Sequence, residues 1–476
     1  MPNLYNQLAD HVAQGIERGI YQPGDKLPGI RQTSSSEGVS PTTVVAAYRH
    51  LETEGYLESR PRSGFYVLPR RTERLAEPAI SRPTPQPNPI SGQSLVLRLL
   101  QNINRPGIVQ LGANIPHASY LPNKAVNRAL GSISNRDHDW SSRYEIPPGL
   151  SRLREQIAKR MASRGCLCHA DEITITAGCQ EALFLSLKSV TEPGDVVAVE
   201  SPTYYGLLQV LEALGLKALE IPTHPREGIS VDALADALNE WPVKACVVIP
   251  NFSNPLGTLM PEDQRQALVK LIDRHRGLTL IEDDIYGDLS YEPRRPGVLK
   301  SLESAGNVIH CASFSKSMSP GLRVGWIVSA PLAERLSYEK FVSSCAVPTA
   351  NQLAVAHMLS SGKYERHLRT MRSDLRLAML RLIDRVTQHF PDGTYLTRPN
   401  GGLALWLELP EQVDATALST LALEQNVSIA PGPMFSPTGK YRNCLRLNAA
   451  VEWSPRVEQA IKILAAMTRA SAATSG

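Results

Sequence analysis

The residues best equipped for chemistry in this chain lie in Ser313-Phe314-Ser315-Lys316, with Arg323 a short way beyond. They follow Val308-Ile309-His310, an apolar run that predicts a buried strand, so Lys316 falls in the turn past that strand's carboxyl end. A lone lysine is ordinarily a solvated surface charge. A lysine held in such a turn is different, because desolvation and a nearby cation disfavour its ammonium and leave an amine able to form a Schiff base with an aldehyde. Pyridoxal phosphate is the aldehyde cofactor that suits it, and Ser313, Ser315 and Arg323 supply hydroxyls and a guanidinium for a phosphate. No Gly-rich run leads into Gly-Lys-Ser/Thr here, which speaks against a nucleotide-binding loop.

Other polar residues follow other apolar runs. The candidate strands are Ile173–Thr176, Val196–Glu200, Ala218–Ile221, Ala245–Ile249, Thr279–Glu282, Val308–Cys311 and Val324–Val328. They alternate with helical patterns, which predicts an α/β fold with a mostly parallel sheet wrapped by helices. Ligands of such sheets collect beyond the strands' carboxyl ends. There the chain places Gly178-Cys179-Gln180, a turn into a helix whose free N–H groups can hold a phosphate. It also places Tyr204 as an aromatic face, Asn254 in Asn254-Pro255-Leu256-Gly257, and Asp283 with Asp284 and Tyr286. Pyridoxal chemistry assigns each a task. Asp283 keeps the ring nitrogen protonated, Asn254 and Tyr286 donate to the phenolate oxygen, and Tyr204 stacks on the ring.

The composition bounds the setting. At 476 residues with 42% hydrophobic content, the chain is long enough for two or three domains around a large core. No apolar run is long enough for a membrane span, and the first residues lack the pattern of a signal peptide, so a cytoplasmic protein is expected. The seven cysteines are scattered, and Cys166-Leu167-Cys168 has no second pair, so neither a disulfide framework nor a metal site is indicated. A net charge of +4 says little about partners.

The amino-terminal stretch is organised differently. Leu4, Leu8, Val12 and Ile16 recur at helical spacing. A short second helix is expected from Ile30 to Glu37. A third runs from Pro41 to Glu54, with Ser40 as its N-cap and proline in the first position. Two short strands around Pro61-Arg62-Ser63-Gly64 complete a winged helix-turn-helix whose third helix can enter a major groove. Over residues 1–68, Lys26 and five arginines face seven acids, so phosphate attraction is expected from Arg60 and Arg62 on the wing and from Arg70, Arg71, Arg74 and Arg82 after it. Residues 69–93 then turn rich in proline, culminating in Pro83-Thr84-Pro85-Gln86-Pro87-Asn88-Pro89. Prolines at alternate positions predict an extended spacer holding two domains apart without folding onto either. The division expected is 1–68, 69–93 and 94–476, with a small carboxyl-terminal α+β part from about residue 335.

Two resemblances add to this reading. Pro23-Gly24-Asp25-Lys26-Leu27-Pro28, Val39-Ser40-Pro41-Thr42-Thr43-Val44, Leu51-Glu52-Thr53-Glu54-Gly55-Tyr56-Leu57 and Ser63-Gly64-Phe65-Tyr66-Val67 resemble the GntR family of bacterial regulators. That resemblance implies that Arg31, Ser40, Thr42, Thr43 and Arg49 face DNA and that Gly64 marks the wing tip. From Val109 to Ala466 the chain resembles fold-type I pyridoxal-dependent transferases, through Tyr144-Glu145-Ile146-Pro147-Pro148-Gly149-Leu150, the motifs above and Asn443-Cys444-Leu445-Arg446-Leu447-Asn448. It implies that Arg446 grips a substrate α-carboxylate. It also implies that Tyr144 reaches the phosphate of a neighbouring subunit, hence a homodimer.

The combination, in this order, resembles the MocR/GabR regulators and their YdcR-like and PtsJ-like branch. It implies a transcription regulator that binds an operator in double-stranded DNA, with pyridoxal 5'-phosphate, an amino compound, or both as effector at an aldimine on Lys316. The rival expectation is a working aminotransferase whose amino-terminal domain is incidental.

Overall fold

The computed structural model describes residues 4–18, 20–21, 25–60, 64–67, 75–90, 93–136 and 138–473. It divides into two compact units, one of Met1–Arg74 with Leu377–His389 and one of Leu75–Arg376 with Phe390–Gly476.

In the first unit, α1 (Leu4–Glu17), α2 (Ile30–Glu37) and α3 (Pro41–Thr53) precede a hairpin of β1 (Leu57–Arg60) and β2 (Gly64–Val67). The helical stripe Leu8, Val12 and Ile16 packs with Val44, Tyr48 and Leu51 into one core, as its periodicity requires. Gly38 ends α2 at φ +65°, a left-handed conformation suited to glycine, and its N–H donates to the Ser34 carbonyl. Two residues later, Ser40 Oγ accepts the Thr43 N–H at 3.1 Å and Pro41 opens α3. Tyr48 fixes α3 against α2. Its hydroxyl lies 2.7 Å from Thr33 Oγ1 and donates to the Pro28 carbonyl at 3.1 Å. The hairpin pairs Leu57 with Val67 and Arg60 with Gly64, and Lys26 bridges to Tyr66 on its outer edge.

The second unit is built on an eight-stranded sheet of β3 (Ile173–Thr176), β4 (Val196–Ser201), β5 (Lys217–His224), β6 (Gly228–Ile229), β7 (Val243–Val248), β8 (Thr279–Asp283), β9 (Val308–Ser313) and β10 (Gly325–Val328). Its spatial order is β3-β10-β9-β8-β7-β4-β5-β6. The five central strands from β9 to β5 run parallel, while β10 and β6 are antiparallel to their neighbours. Buried apolar clusters cover the sheet on both faces, as parallel strands demand. A separate antiparallel sheet of Tyr395–Leu396, Ala404–Glu408, Cys444–Asn448 and Ala430–Pro431 carries Arg446 opposite Trp406 and Ala430.

The proline-rich stretch corrects the expectation of a free spacer. From Leu75 onward it lies on the second unit. Thr223 N–H donates to Ser81 Oγ at 2.8 Å, Ser81 N–H donates to the Thr223 carbonyl, and Asn88 exchanges both backbone hydrogen bonds with Ala218 on β5. The carbonyls of Leu75 and Ala76 accept from Arg398 and from Leu396 N–H. The physical reason is that β5, paired with β4 on one side, has only the two-residue β6 on the other. Much of its outer edge therefore needs backbone partners, which an extended segment supplies through the non-proline residues between its prolines.

Replacing Tyr48 by phenylalanine removes the hydroxyl shared by Thr33 and the Pro28 carbonyl and leaves only their direct hydrogen bond of 3.3 Å. We expect Tyr48→Phe to destabilise the α2–α3 arrangement by about 1–2 kcal/mol. Amide hydrogen exchange of α3 in the full chain measures this, and unchanged protection would show that the hydroxyl contributes nothing there.

Candidate functional site

The loops past the carboxyl ends of β3, β4, β7, β8 and β9 meet at one cavity of about 200 Å³. Of the residues expected to bind a cofactor, Cys179, Gln180, Tyr204, Asn254, Asp283, Tyr286, Ser315, Lys316 and Arg323 line it.

Lys316 lies in the turn three residues past the end of β9, and its Nζ donates to the Asn114 carbonyl at 2.7 Å. Burial, then the charges of Arg446 and Arg323, lower its pKa to about 8. Asp283 ends β8. Its Oδ1 accepts the Cys179 thiol at 3.1 Å and the Ile285 N–H at 3.2 Å. Burial pushes its carboxyl up to about 6 against those two donors. The next residue has the opposite fate. Asp284 accepts Asn251 Nδ2 at 2.7 Å and pairs with Arg295, and although burial would raise its pKa, Arg295, His310 and Arg164 hold it below the ordinary value. Asp284 therefore lies among its own partners and does not line the cavity.

Arg323 takes a left-handed backbone at φ 51°, and its guanidinium donates to the Ala177 carbonyl at 2.6 Å and to Ser315 Oγ at 3.2 Å. Gly178 makes this possible. At φ +92° it caps helix α5 (Cys179–Val190), and a Cβ there would come within 2.4 Å of Arg323 Nη2. Tyr204 donates to Gln180 Oε1 at 3.3 Å, and its ring lies so close to Gly206 that a Cβ would sit 2.3 Å from the ring. Tyr286 accepts Asn114 Nδ2 at 2.8 Å.

Arg446 is fully buried. Its Nη1 donates to Asn254 Oδ1 at 2.8 Å, its Nη2 donates to the Gly112 carbonyl, and its Nε has no hydrogen-bond partner. Its guanidinium stands over Phe435 at 5.1 Å and Tyr205 at 5.9 Å. Among the described residues neither Arg446 nor Arg323 forms an ion pair with a carboxylate. A buried cation with spare donors suits a carboxylate from outside.

Four expected residues do not line the cavity: Gly178 and Arg446, described above, and Ser313 and Tyr144. Ser313 donates to the Val324 carbonyl at 3.0 Å and accepts the Ser315 N–H at 3.0 Å, so it shapes the loop from behind. Tyr144 is 82% exposed and away from its own chain's cavity. Asn114 was not foreseen. It holds both Lys316 and Tyr286, and nothing in Gly112-Ala113-Asn114 distinguishes it locally from a loop asparagine. Among the described residues no group of His, Cys, Asp and Glu could hold a metal ion. No described helix is long and apolar enough to cross a membrane.

In the first unit, Arg31, Thr42 and Arg49 are exposed and Thr43 is half-buried. The hydroxyls of Thr42 and Thr43 lie 2.9 and 2.8 Å from Ser40 Oγ, so all three residues belong to the cap of α3. Gly64 begins β2 at φ +118°. Arg62, Arg70, Arg71 and Arg74 lie outside the described residues, as does the side chain of Arg60.

Residues 106–464 match the family model described as aminotransferase class I and II, and residues 4–67 match that of bacterial regulatory proteins, gntR family. The chain is 40% identical over 459 residues to YjiR of Escherichia coli K12, described as an uncharacterized HTH-type transcriptional regulator, covering 96% of this chain and 97% of that one. YdcR of the same organism, described in the same words, is 39% identical over 97% of this chain and 98% of its own length. Among solved structures, a kynurenine aminotransferase of Pyrococcus horikoshii in complex with PMP is similar at a TM-score of 0.74 and 28% identity, over 80% of this chain and 96% of that one.

The two displaced pKa values set a pH dependence in the cofactor-free protein. Between about 8 and 10.5 the unfolded chain keeps a proton on Lys316 that the folded chain has released, so stability rises with pH across that window. Between 3.8 and about 6 the folded chain holds a proton on Asp283 that the unfolded chain has lost, so this group's contribution falls as pH rises. Urea midpoints across pH should lose the upper rise in Lys316→Met and the lower fall in Asp283→Asn. Unchanged profiles would mean that neither group is desolvated.

Proposed function

The chain belongs to the aminotransferase class I and II family over most of its length, and from that premise we propose that it is a transcriptional regulator. It binds double-stranded DNA through the amino-terminal winged helix and takes pyridoxal phosphate, an amino compound, or both as effector at Lys316. One observation carries this reading. Relatives described as HTH-type transcriptional regulators match both the helix-turn-helix unit and the cavity-bearing unit across 96% and 97% of this chain.

The cavity fits the cofactor. Arg323 has no carboxylate partner among the described residues and, with Ser315 and the amino end of α5 at Gly178, Cys179 and Gln180, offers donors to a phosphate. Asp283, with one oxygen already occupied, holds the ring-nitrogen proton. Tyr204 would cover the ring, and Tyr286 and Asn254 would serve its phenolate oxygen. The bound cofactor supplies an aldehyde for an amine and a ring that accepts electrons. Lys316, near neutral pH in its acid–base balance, provides the amine and can carry a proton. Arg446, desolvated and short of partners, receives the effector's carboxylate.

At the other end of the chain, Ser40, Thr42 and Thr43 at the start of α3 set its register on DNA. Arg31, Arg49, Arg60, Arg62 and the backbone at Gly64 contribute phosphate and wing contacts. A homodimer is part of the reading, because Trp140, Tyr144 and Ile146 leave a strongly exposed apolar group beside the segment expected to reach a neighbouring subunit. A cytoplasmic location goes with it. The second reading is a working aminotransferase with an incidental amino-terminal domain, favoured by the survival of Lys316 and Asp283 in one cavity and of Arg446 bonded to Asn254 of its wall.

Two measurements test this. Borohydride reduction of the cofactor-loaded protein followed by peptide mapping should find the pyridoxyl group on Lys316, and a different lysine would overturn the site. Anisotropy of the full chain on DNA from upstream of its own gene, compared with random DNA, should show a specific complex whose affinity changes with pyridoxal phosphate. Arg49→Ala should weaken both complexes alike and reduce the salt slope by about one. Curves that coincide for both DNAs at every salt concentration would leave the aminotransferase reading.

A further inference from the structure

Cys166-Leu167-Cys168 lines no part of the cavity. It joins helix α4 (Ser151–Ala162) to the segment that enters β3, and so lies before the amino end of a strand whose carboxyl end faces the site. Local backbone chemistry sets the two thiols side by side. Gly165 follows α4 in a left-handed conformation at φ +81°, and the Cys166 N–H donates back to the Met161 carbonyl at 3.1 Å. Cys166 is thereby turned into the core, where it is 3% exposed. Cys168 packs half-buried against the same apolar cluster, while Leu167 between them is 88% exposed. Such alternation puts residues i and i+2 on one side of the chain. Their Cα atoms are then at most about 7 Å apart, at the upper edge of the roughly 4.4–6.8 Å that a disulfide spans.

The surroundings distinguish the two sulfurs. The segment runs against the turn Leu299–Leu302, close enough that a Cβ on Gly165 would come 3.9 Å from Ser301 Cβ, and that turn carries the buried Lys300. Hydrogen bonding with the Cys166 thiol lowers the pKa of Cys168 and the charge of Lys300 adds to it, against burial and Glu172. The same hydrogen bond, then burial, raises that of Cys166. Burial also raises Cys179, Cys246, Cys311 and Cys444, which lie in the interior. The thiolate is the nucleophile, and it reacts where a cation and partial exposure favour it. Cys168 meets both conditions, with a second thiol beside it.

We propose that Cys166 and Cys168 are a modification site for peroxides, in which Cys168 is oxidised first and Cys166 closes a reversible disulfide. The Cys168 thiolate attacks one peroxide oxygen, an S–O bond forms, the O–O bond breaks, and the departing oxygen takes the thiol's proton and leaves as water. Cys166 sulfur then attacks the Cys168 sulfenic acid. An S–S bond forms, the S–O bond breaks, and a second water carries off the Cys166 proton. Two thiols lose two electrons in all, and one hydrogen peroxide becomes two waters. A bridge between residues so close in sequence is strained, which keeps it open to reduction by other thiols.

The test treats the cofactor-loaded full chain with dilute hydrogen peroxide and then blocks free thiols with iodoacetamide in urea. Trypsin with an aspartate-specific protease releases Gly165–Ala170, which holds both cysteines and excludes Cys179. Mass spectrometry should find this peptide unalkylated and two hydrogens lighter than the dithiol, and dithiothreitol should restore both thiols. Dimedone, which traps sulfenic acids, should label Cys168 in Cys166→Ser. In Cys168→Ser the oxidation of Cys166 should fall at least about tenfold, since its thiol is raised and buried. Both cysteines alkylated in the treated, unaltered protein would overturn the proposal, whether or not either variant folds. Dimedone on Cys166 in Cys168→Ser, with none on Cys168 in Cys166→Ser, would overturn the order of the two steps.

Discussion

Cations left without acids to neutralise them, one of which, Arg446, is wholly out of water, are the constraint on which the second unit depends. Lys316 and Arg323 line a cavity whose wall holds one carboxylate, Asp283, itself pushed toward its neutral form, while Arg446 is fully buried and hydrogen-bonded to Asn254 of that wall. Such an arrangement is unfavourable in isolation, since desolvation is repaid only by partners. The protein keeps it by giving the guanidiniums backbone carbonyls to donate to, Ala177 for Arg323 and Gly112 for Arg446. Neutral acceptors hold the side chains in place and leave their charge available. A phosphate and a carboxylate are the partners that charge still lacks.

The neighbouring aspartates show how finely the backbone apportions roles. Successive residues leaving a strand point to opposite sides of the sheet, so Asp283 reaches the cavity while Asp284 enters a cluster with Arg295 and Asn251. Identical side chains one residue apart thus take opposite pKa shifts. Arg295 also binds Asp288, which Arg160 and Arg164 share. Tyr364 links Asp288 to Ser317, the residue after Lys316. The turn bearing Lys316 is therefore braced by a buried ionic network that takes no part in lining the site. Breaking one member of such a network is more damaging than the network is stabilising, because the other charges stay buried.

Much of this was legible in the residues. Continuous apolar runs located the parallel strands to within one to three residues, because a strand covered on both faces needs no polar alternation. Ser40-Pro41 and Gly38 marked the start of α3 and the end of α2 through local backbone chemistry alone. The positions after each strand named most of the cavity, since sheet topology gathers those ends in one place. Tertiary structure decided the rest. Asn114 lies roughly two hundred residues from Lys316 in sequence, and no periodicity connects segments so distant. Ser313 faces Val324 and not the cavity because β10 returns beside β9. The proline-rich stretch docks because most of the outer edge of β5 lacks a strand neighbour, a fact about the sheet that the stretch's own composition does not contain. Local propensity fixes which elements form; which unpaired edge or buried charge each segment meets is set only once the elements have packed.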